Sequence, residues 1–386
     1  MDKTIIVDSS TWVDSREQKE DKKRTKYYTA SQWQLVWWRF KRHKPALVGG
    51  LILLMFAIAG IFAPFLAPYT VTARDGEYIM GPPQFPVFLD KHGFSPRPFV
   101  PGIKTERDSI TLRKIVKIDA DTRRHLTFLV KGREYKLLGL FTLNTHLFGL
   151  DNGKLHLFGT DGLGRDLFSR VLYATGTSLS IGVLGLLTAF FLALIIGGAA
   201  GYFGGIVDSL VQRMTEIVRI IPVIPLYMGL AAAFPKEWSN TQVYFAMTLI
   251  FGLIGWPTLA RRIRSQLLSQ RNEDYVLAAV LSGASSFRII SKHLLPSFTS
   301  YIIVDLVISF PYMILSETAL SFIGLGLRPP SVSWGILLQD SQNVRAIEQA
   351  PWLFIPALFV VAAVLAFTLL GDGLRDAADP YSTATH

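Results

Sequence analysis

The chain has 386 residues, 50% of them hydrophobic and 18% charged, well below the roughly 25% charged residues of ordinary soluble domains. The formal net charge is +10, but the basic residues gather in the N-terminal tail and beside apolar runs, which suits membrane topology and lipid headgroups rather than a nucleic-acid face. There is no cysteine, which excludes a disulfide framework, a thiol nucleophile and a thiolate metal site.

Residues 1–44 read as a tail on the cytoplasmic side. Within it, TASQWQLVWWRFKRHK opens with Thr29 and Gln32 at capping-box spacing. Trp33, Trp37 and Phe40 follow at helical spacing, and Arg39, Lys41, Arg42 and Lys44 flank them. The pattern predicts an amphipathic helix lying at the headgroup level. The charged lead and the apolar run after it are both too long for a cleavable signal.

The first span is expected over 45–68, PALVGGLILLMFAIAGIFAPFLAP. Residues 69–177 then form a long loop outside the membrane. The proline-rich stretch from Pro82 to Pro101 cannot be regular helix. HLTFLVKGREYKLLGLF is strand-rich and broken at Lys131-Gly132, which predicts a hairpin turning there and a small β-containing insertion.

A core over 178–386 carries the remaining spans. The second is expected over 178–202, and the third is broken by Pro222 and Pro225 before ending near Phe234. The fourth covers Val243 to Trp256, the fifth Tyr301 to Leu315 and the sixth Trp352 to Leu370. The fourth and fifth reach bilayer thickness only if their flanks extend them. Between them lie Arg261, Arg262, Arg264, Arg271, Arg288 and Lys292 against Glu273 and Asp274. Six spans with this charge put both termini and this loop in the cytoplasm.

Gly197, Gly201 and Gly205 recur every four residues, a spacing that lets another helix approach closely. Asp305 is the clearest ionisable residue inside a span, with Glu216 and Arg219 at the cytoplasmic start of the third. Asp305 either lines a pathway or is satisfied by a neighbouring helix. So few charges argue against an ion-coupled transporter. No G-x-x-x-x-G-K-[ST] loop occurs, and Gly324 and Gly326 lack the third glycine of a dinucleotide fingerprint. The seven histidines show no metal-ligand spacing. Asp161, Arg165 and Asp166 read as turn and cap residues rather than catalytic groups. The chain thus builds a helical pathway but carries no catalytic site, no cofactor and no means of energising transport.

EDYVLAAVLSGASSFRIISKHLLP, from Glu273 to Pro296, offers two short helices joined at a glycine, a compact projection with small residues on its face. Its Ala278-Ala279, Gly283 and His293-Leu294-Leu295-Pro296 resemble the cytoplasmic EAA loop, here 260–296, of binding-protein-dependent ABC importer permeases. The resemblance implies that Gly283 and Ala284 form the turn entering an ATPase, with Ala278 and Ala279 facing it. Leu277 stands at the family's glutamate position and His293 at its isoleucine position, as in the peptide/nickel subfamily. HLFGTDGLGRDLFSRVLYATGTSLSIG, GYFGGIVDSLVQRMTEIVRIIP (with Glu216 where aspartate is usual), WPTLARRIRSQ, SETALSFIGLGLRPPSVSWGILL and GDGLRDAADP follow in that subfamily's order. Together they cover most of 30–70 and 156–380 and are similar to the second, C-type permease. The long outer loop resembles the subgroup that includes the microcin C/peptide importer.

The resemblance implies an all-α integral membrane protein of the type I ABC importer permease fold, with six transmembrane helices and a small β-containing extracytoplasmic insertion between spans one and two. The partners implied are a second homologous permease, two ATPase subunits that bind the ATP and Mg, an extracytoplasmic binding protein and the bilayer of a bacterial inner membrane. Cargo would be peptides, with oligosaccharides, opines or nickel as alternatives in the same class. An independent secondary transporter is the less expected reading.

Overall fold

The computed structural model describes residues 30–90, 93–107, 114–137, 139–343 and 348–379. It begins with α1, Gln32–Phe40. The capping box falls on Ser31 and Gln34 rather than on Thr29 and Gln32: Gln34 N–H donates to Ser31 Oγ at 3.4 Å and Ser31 N–H to Gln34 Oε1 at 3.1 Å. Serine has the same spacing to a glutamine as Thr29 has, and the helix starts at the later pair; Thr29 lies outside the described residues. Trp33 and Trp37 are exposed, while Phe40 is buried against Ala46 and Ala377. The helix therefore offers one aromatic face to its surroundings and holds to the body by the other.

Helix α2, Lys44–Ile61, breaks at Phe62 into the single turn α3, Ala63–Leu66. Span one meets the next long helix through paired glycines, where a Cβ on Gly60 would stand 2.8 Å from Gly176 Cα. The insertion follows as an antiparallel meander in the order β1-β2-β3-β4: β1 Val87–Asp90, β2 Gly93–Arg107, β3 Lys114–Leu137 and β4 Phe141–Leu150.

The expected turn at Lys131-Gly132 is not there. Strand β3 runs through both residues with a register shift between Lys131 and Tyr135, and the chain reverses at Gly139, whose φ of +73° supplies the left-handed turn conformation. Gly132 serves packing instead, since a Cβ on it would stand 2.7 Å from His146 Nε2.

Helix α4, Leu167–Phe203, contains the expected second span and is 37 residues long, capped by Asp166, which accepts from Ser169 N–H at 2.7 Å. After it, α5, Gly205–Ile220, and α6, Val223–Ala232, meet at a bend of 82° at Ile221-Pro222. Helix α7, Asn240–Gln270, runs through Pro257 and extends the short fourth apolar run at both ends. Helix α11, Thr299–Phe322, does the same for the fifth, and α13, Ile355–Ala378, carries the sixth. Among the described residues five helices are long and apolar enough to cross a membrane, or six if the bent α5–α6 pair is one span.

The core lies along α4 and α7, which pack against each other and against α11. Gly197 and Gly201 make this possible: a Cβ on Gly197 would stand 2.8 Å from Ala260 Cα, and one on Gly201 2.8 Å from Leu267 Cβ. Gly205 does not belong to this stripe. It opens α5 with φ +55° and has open space where a side chain would be.

Candidate functional site

The loop between α7 and α11 folds as two helices joined at Gly283. Helix α8, Asp274–Leu281, ends in a Schellman motif: Gly283 N–H donates to Val280 O at 2.9 Å and Ala284 N–H to Ala279 O at 3.1 Å. The motif needs a left-handed residue, and Gly283 supplies φ +75°. Ser285 then caps the second helix, accepting from Arg288 N–H at 3.4 Å. This helix comprises α9, Ser286–Arg288, a π-helical turn, Ile289–Leu294, and α10, Leu295–Ser297. Pro296 has no N–H for the Lys292 carbonyl, and the ladder widens just before it, with Leu295 N–H bonded to Ile290 O.

Val276, Ile289 and Leu294 anchor the loop in the main core. Ala279 and Ala284 are half-buried against that core and joined by the backbone bond above, whereas Leu277, Ala278 and Gly283 face outward. His293 is half-buried and Pro296 exposed, both at the far end of the second helix rather than at the tip. Gly283 is flanked in the chain by Leu281, 88% exposed, and Phe287, 81% exposed, and Val280 is exposed as well. The motif spacing did not single out Leu281 or Phe287; two large apolar residues flanking a Ser-Gly-Ala-Ser-Ser turn were the available signal. A Cβ on Gly283 would meet nothing within 4 Å, so the tip is unobstructed.

Beside the loop lies a cleft of about 1200 Å3 lined by Arg39, Arg262, Gln270, Tyr301, Asp305 and Arg375, among others. Asp305, on the second turn of α11, is buried and forms an ion pair with Arg262 of α7. It is thus satisfied by a neighbouring helix and also faces the cleft. Asp208 of α5 pairs with Arg264, two residues nearer the loop on α7, tying the bent pair to α7.

At the other end of the bundle a polar cluster joins the insertion to α4. His156 Nδ1 lies 2.9 Å from Asp166 and Nε2 3.5 Å from Asp75, with the imidazole stacked on Tyr78 at 4.9 Å. Burial works against the imidazolium, but the hydrogen bonds to Asp166 and Asp75 outweigh it and raise the His156 pKa. The His156 hydrogen bond, opposed by burial, holds Asp75 down to about 2. Asp161 accepts from the backbone of Leu163 and Arg165 and pairs with the side chains of Arg165 and Arg170, both of which reach Asp340. Asp161, Arg165 and Asp166 therefore work as turn, pair and cap residues. No group of three or more side chains placed to hold a metal occurs among the described residues.

One intramembrane acid escaped the sequence reading. Glu317 on α11 is fully buried and accepts from Ser321 at 2.8 Å and Ser178 at 3.2 Å, with Ser333 as a third hydroxyl partner. Its one early signal was Ser321 a turn later.

Residues 167–381 match the family described as binding-protein-dependent transport system inner membrane component. Residues 31–83 match the N-terminal transmembrane domain of oligopeptide transport permease C. The chain is 31% identical over 376 residues to the dipeptide transport system permease protein DppC of Bacillus subtilis (strain 168), covering 97% of this chain and 93% of that one. It is 28% identical over 345 residues to the di/tripeptide transport system permease protein DppC of Pseudomonas aeruginosa (strain UCBPP-PA14), covering 89% and 90%. With the oligopeptide transport system permease protein OppC of Haemophilus influenzae (strain ATCC 51907 / DSM 11121 / KW20 / Rd) it shares 38% identity over 222 residues, covering 57% and 69%. The first two similarities run across the β insertion.

Proposed function

The chain belongs to the family of binding-protein-dependent transport system inner membrane components, and from that premise we propose that it carries peptides, with its loop over 260–296 as the seat of an ATPase. It is a non-catalytic, multi-pass permease subunit of an ABC importer, of the C type. The observation that carries the coupling role is the apolar tip. Leu277, Val280, Leu281 and Phe287 are exposed around Gly283 while Val276, Ile289 and Leu294 fix the loop from beneath. An apolar ridge on a rigid base suits a helix seated in a partner's groove.

In this reading Leu277, Ala278 and Gly283 touch the ATPase, Ala279 and Ala284 set the turn that presents them, and His293 and Pro296 shape the return to α11. A second, similar permease, two ATPases holding ATP and Mg, and an extracytoplasmic binding protein complete the assembly. The bent α5–α6 pair counts as the third of six spans, and the basic loop puts both termini in the cytoplasm. Residues 1–44 are then the tail, 45–68 span one, 69–177 the extracytoplasmic insertion and 178–386 the permease core. Closure of the ATPases moves the loop as a rigid lever, and it shifts the pathway because the ATPase pair favours one permease state over the other. Peptide cargo is supported by the names of the relatives.

The test is Gly283→Trp, assayed for membrane insertion, ATPase co-purification and ATP-driven peptide uptake, with Gly283→Asn as the control that tolerates the left-handed backbone. The tryptophan is expected to insert normally and to lose both ATPase and uptake, while asparagine keeps them. Wild-type uptake by Gly283→Trp overturns the coupling role. Uptake of nickel or an oligosaccharide in preference to dipeptides overturns the cargo.

A further inference from the structure

The β3–β4 hairpin ends in a sequence that is unusual for a turn. Hairpin tips favour Gly, Asn, Asp, Ser and Pro, yet this one reads Leu137, Gly139, Leu140, Phe141, Leu143 around the reversal. Leu140 is 76% exposed and Phe141 62% exposed, and Leu143 is also exposed. Lys131, Arg133 and Lys136, just behind the tip, are exposed as well.

The hairpin's position relative to the spans gives this pattern a meaning. Its strands pack on α3, the last turn of span one. Towards the base, Phe148 of β4 meets Phe168 at the start of α4, ring centroids 5.7 Å apart. Further along the hairpin, Gly132, Arg133 and His146 share a cavity with Pro68 and Tyr69, where span one ends. Ala63 and Leu66 of α3 pack in one cluster with Phe168 and Tyr173 of α4. The hairpin thus runs from the start of α4 past the end of span one, and Leu140 and Phe141 lie beyond that crossing.

We propose that the β3–β4 hairpin is a monotopic membrane anchor, with Leu140 and Phe141 seated in the lipid leaflet around spans one and two and Lys131, Arg133 and Lys136 at the phosphates. An apolar tip behind a basic collar is the arrangement by which peripheral elements hold a lipid surface. The occupant is lipid rather than protein because the hairpin packs on α3, and the adjoining end of α2 exposes the apolar side chains of Ile58, Ile61 and Phe62. Leu89 and Phe94 on the β1–β2 edge are exposed too, but the strands that pack on α3 are β3 and β4, and these two residues are not part of the anchor. Its consequence for the insertion is a fixed tilt: four strands are held at three points, by span one, by α4 and by the bilayer itself.

The natural absence of cysteine makes the test direct. Single variants Leu140→Cys, Phe141→Cys and Arg133→Cys of the full chain carry a nitroxide label in phospholipid nanodiscs, alone and with the partner subunits bound. Collision with oxygen is compared with collision with a water-soluble nickel chelate. Labels at 140 and 141 are expected to favour oxygen with and without partners, and the label at 133 to favour nickel. Nickel-dominated collision at 140 and 141 places the tip in water and overturns the proposal. Shielding from both probes, whether in the isolated chain or only on adding partners, identifies a protein contact and overturns it as well.

Discussion

The Ser178 hydroxyl on α4 donates to Glu317 on α11 across 3.2 Å while accepting from the Trp334 N–H at 3.1 Å. The indole of Trp334 completes the arrangement, donating to Thr175 at 3.2 Å. A buried acid side chain surrounded by hydroxyls thus fixes the start of α12, Trp334–Gln339, against two spanning helices.

Glu317→Leu removes the acceptor and strands the Ser178 and Ser321 hydroxyls, a loss of about 1–3 kcal/mol per unsatisfied group. Glu317→Gln keeps the shape and part of the hydrogen bonding. Thermal unfolding in nanodiscs is expected to rank wild type, glutamine and leucine in falling order. A leucine variant that melts at the wild-type midpoint would show that the acid has no structural share.

Adjacent glycines at the α4–α7 contact give a sharper contrast. A Cβ on Gly197 collides with the Ala260 backbone, which cannot move aside, whereas one on Gly198 reaches only Leu267 Cδ1 at 4.0 Å. Gly197→Ala is expected to destabilise by about 1–3 kcal/mol through overpacking, and Gly198→Ala to be neutral or slightly stabilising through its gain in helix propensity. Melting temperatures of the two purified variants check it.

These contrasts also mark what the sequence could reveal. Apolar runs and Lys/Arg bias are properties of consecutive residues, so the spans could be located before any coordinates. The loop was equally legible because Ala279, Gly283 and Ala284 act on one another within five residues, and a Schellman turn is local chemistry. Local rules failed where two equivalent signals competed. Gly139 won over Gly132, because packing decided which glycine would turn and which would make room for His146. The rest depended on distance along the chain: His156 is 81 residues from Asp75, and Ser178 is 139 from Glu317. No window reading pairs residues that only the fold brings together.

The His156 cluster makes a pH prediction. The His156 pKa is raised above 6.5 in the folded chain, so its contribution is complete below about 6.5 and fades as pH rises through the folded value. Asp75 is held down to about 2 from 3.8, so its side of the same interaction is complete above about 4 and fades as pH falls towards 2. The attachment of the insertion to α4 is therefore strongest between these limits. Hydrogen exchange at the Leu155 and His156 amides, corrected for intrinsic rates, is expected to show protection falling from pH 6 to pH 9. His156→Gln should flatten that slope, and an unchanged slope would exclude the imidazole as its source.

Arg262 and Asp305 allow the two roles left open for Asp305 to be separated by one experiment. If Asp305 serves its neighbouring helix, what matters is that α7 and α11 carry opposite charges at this depth, and either order of charge suffices. If it touches cargo in the cleft, the carboxylate itself is needed at position 305. Asp305→Arg places two cations side by side in a partly dry setting, and it is expected to abolish uptake in either case. The added Arg262→Asp is expected to restore uptake to within about threefold of wild type, the residue of an imperfectly matched pair worth on the order of 1 kcal/mol at this exposure. The ion pair lies at the mouth of the loop that Gly283 tips, so the swap reports on the same lever from its membrane end. Failure of the swap to recover uptake, in a protein that inserts and still binds its ATPase, would move Asp305 from the scaffold to the pathway.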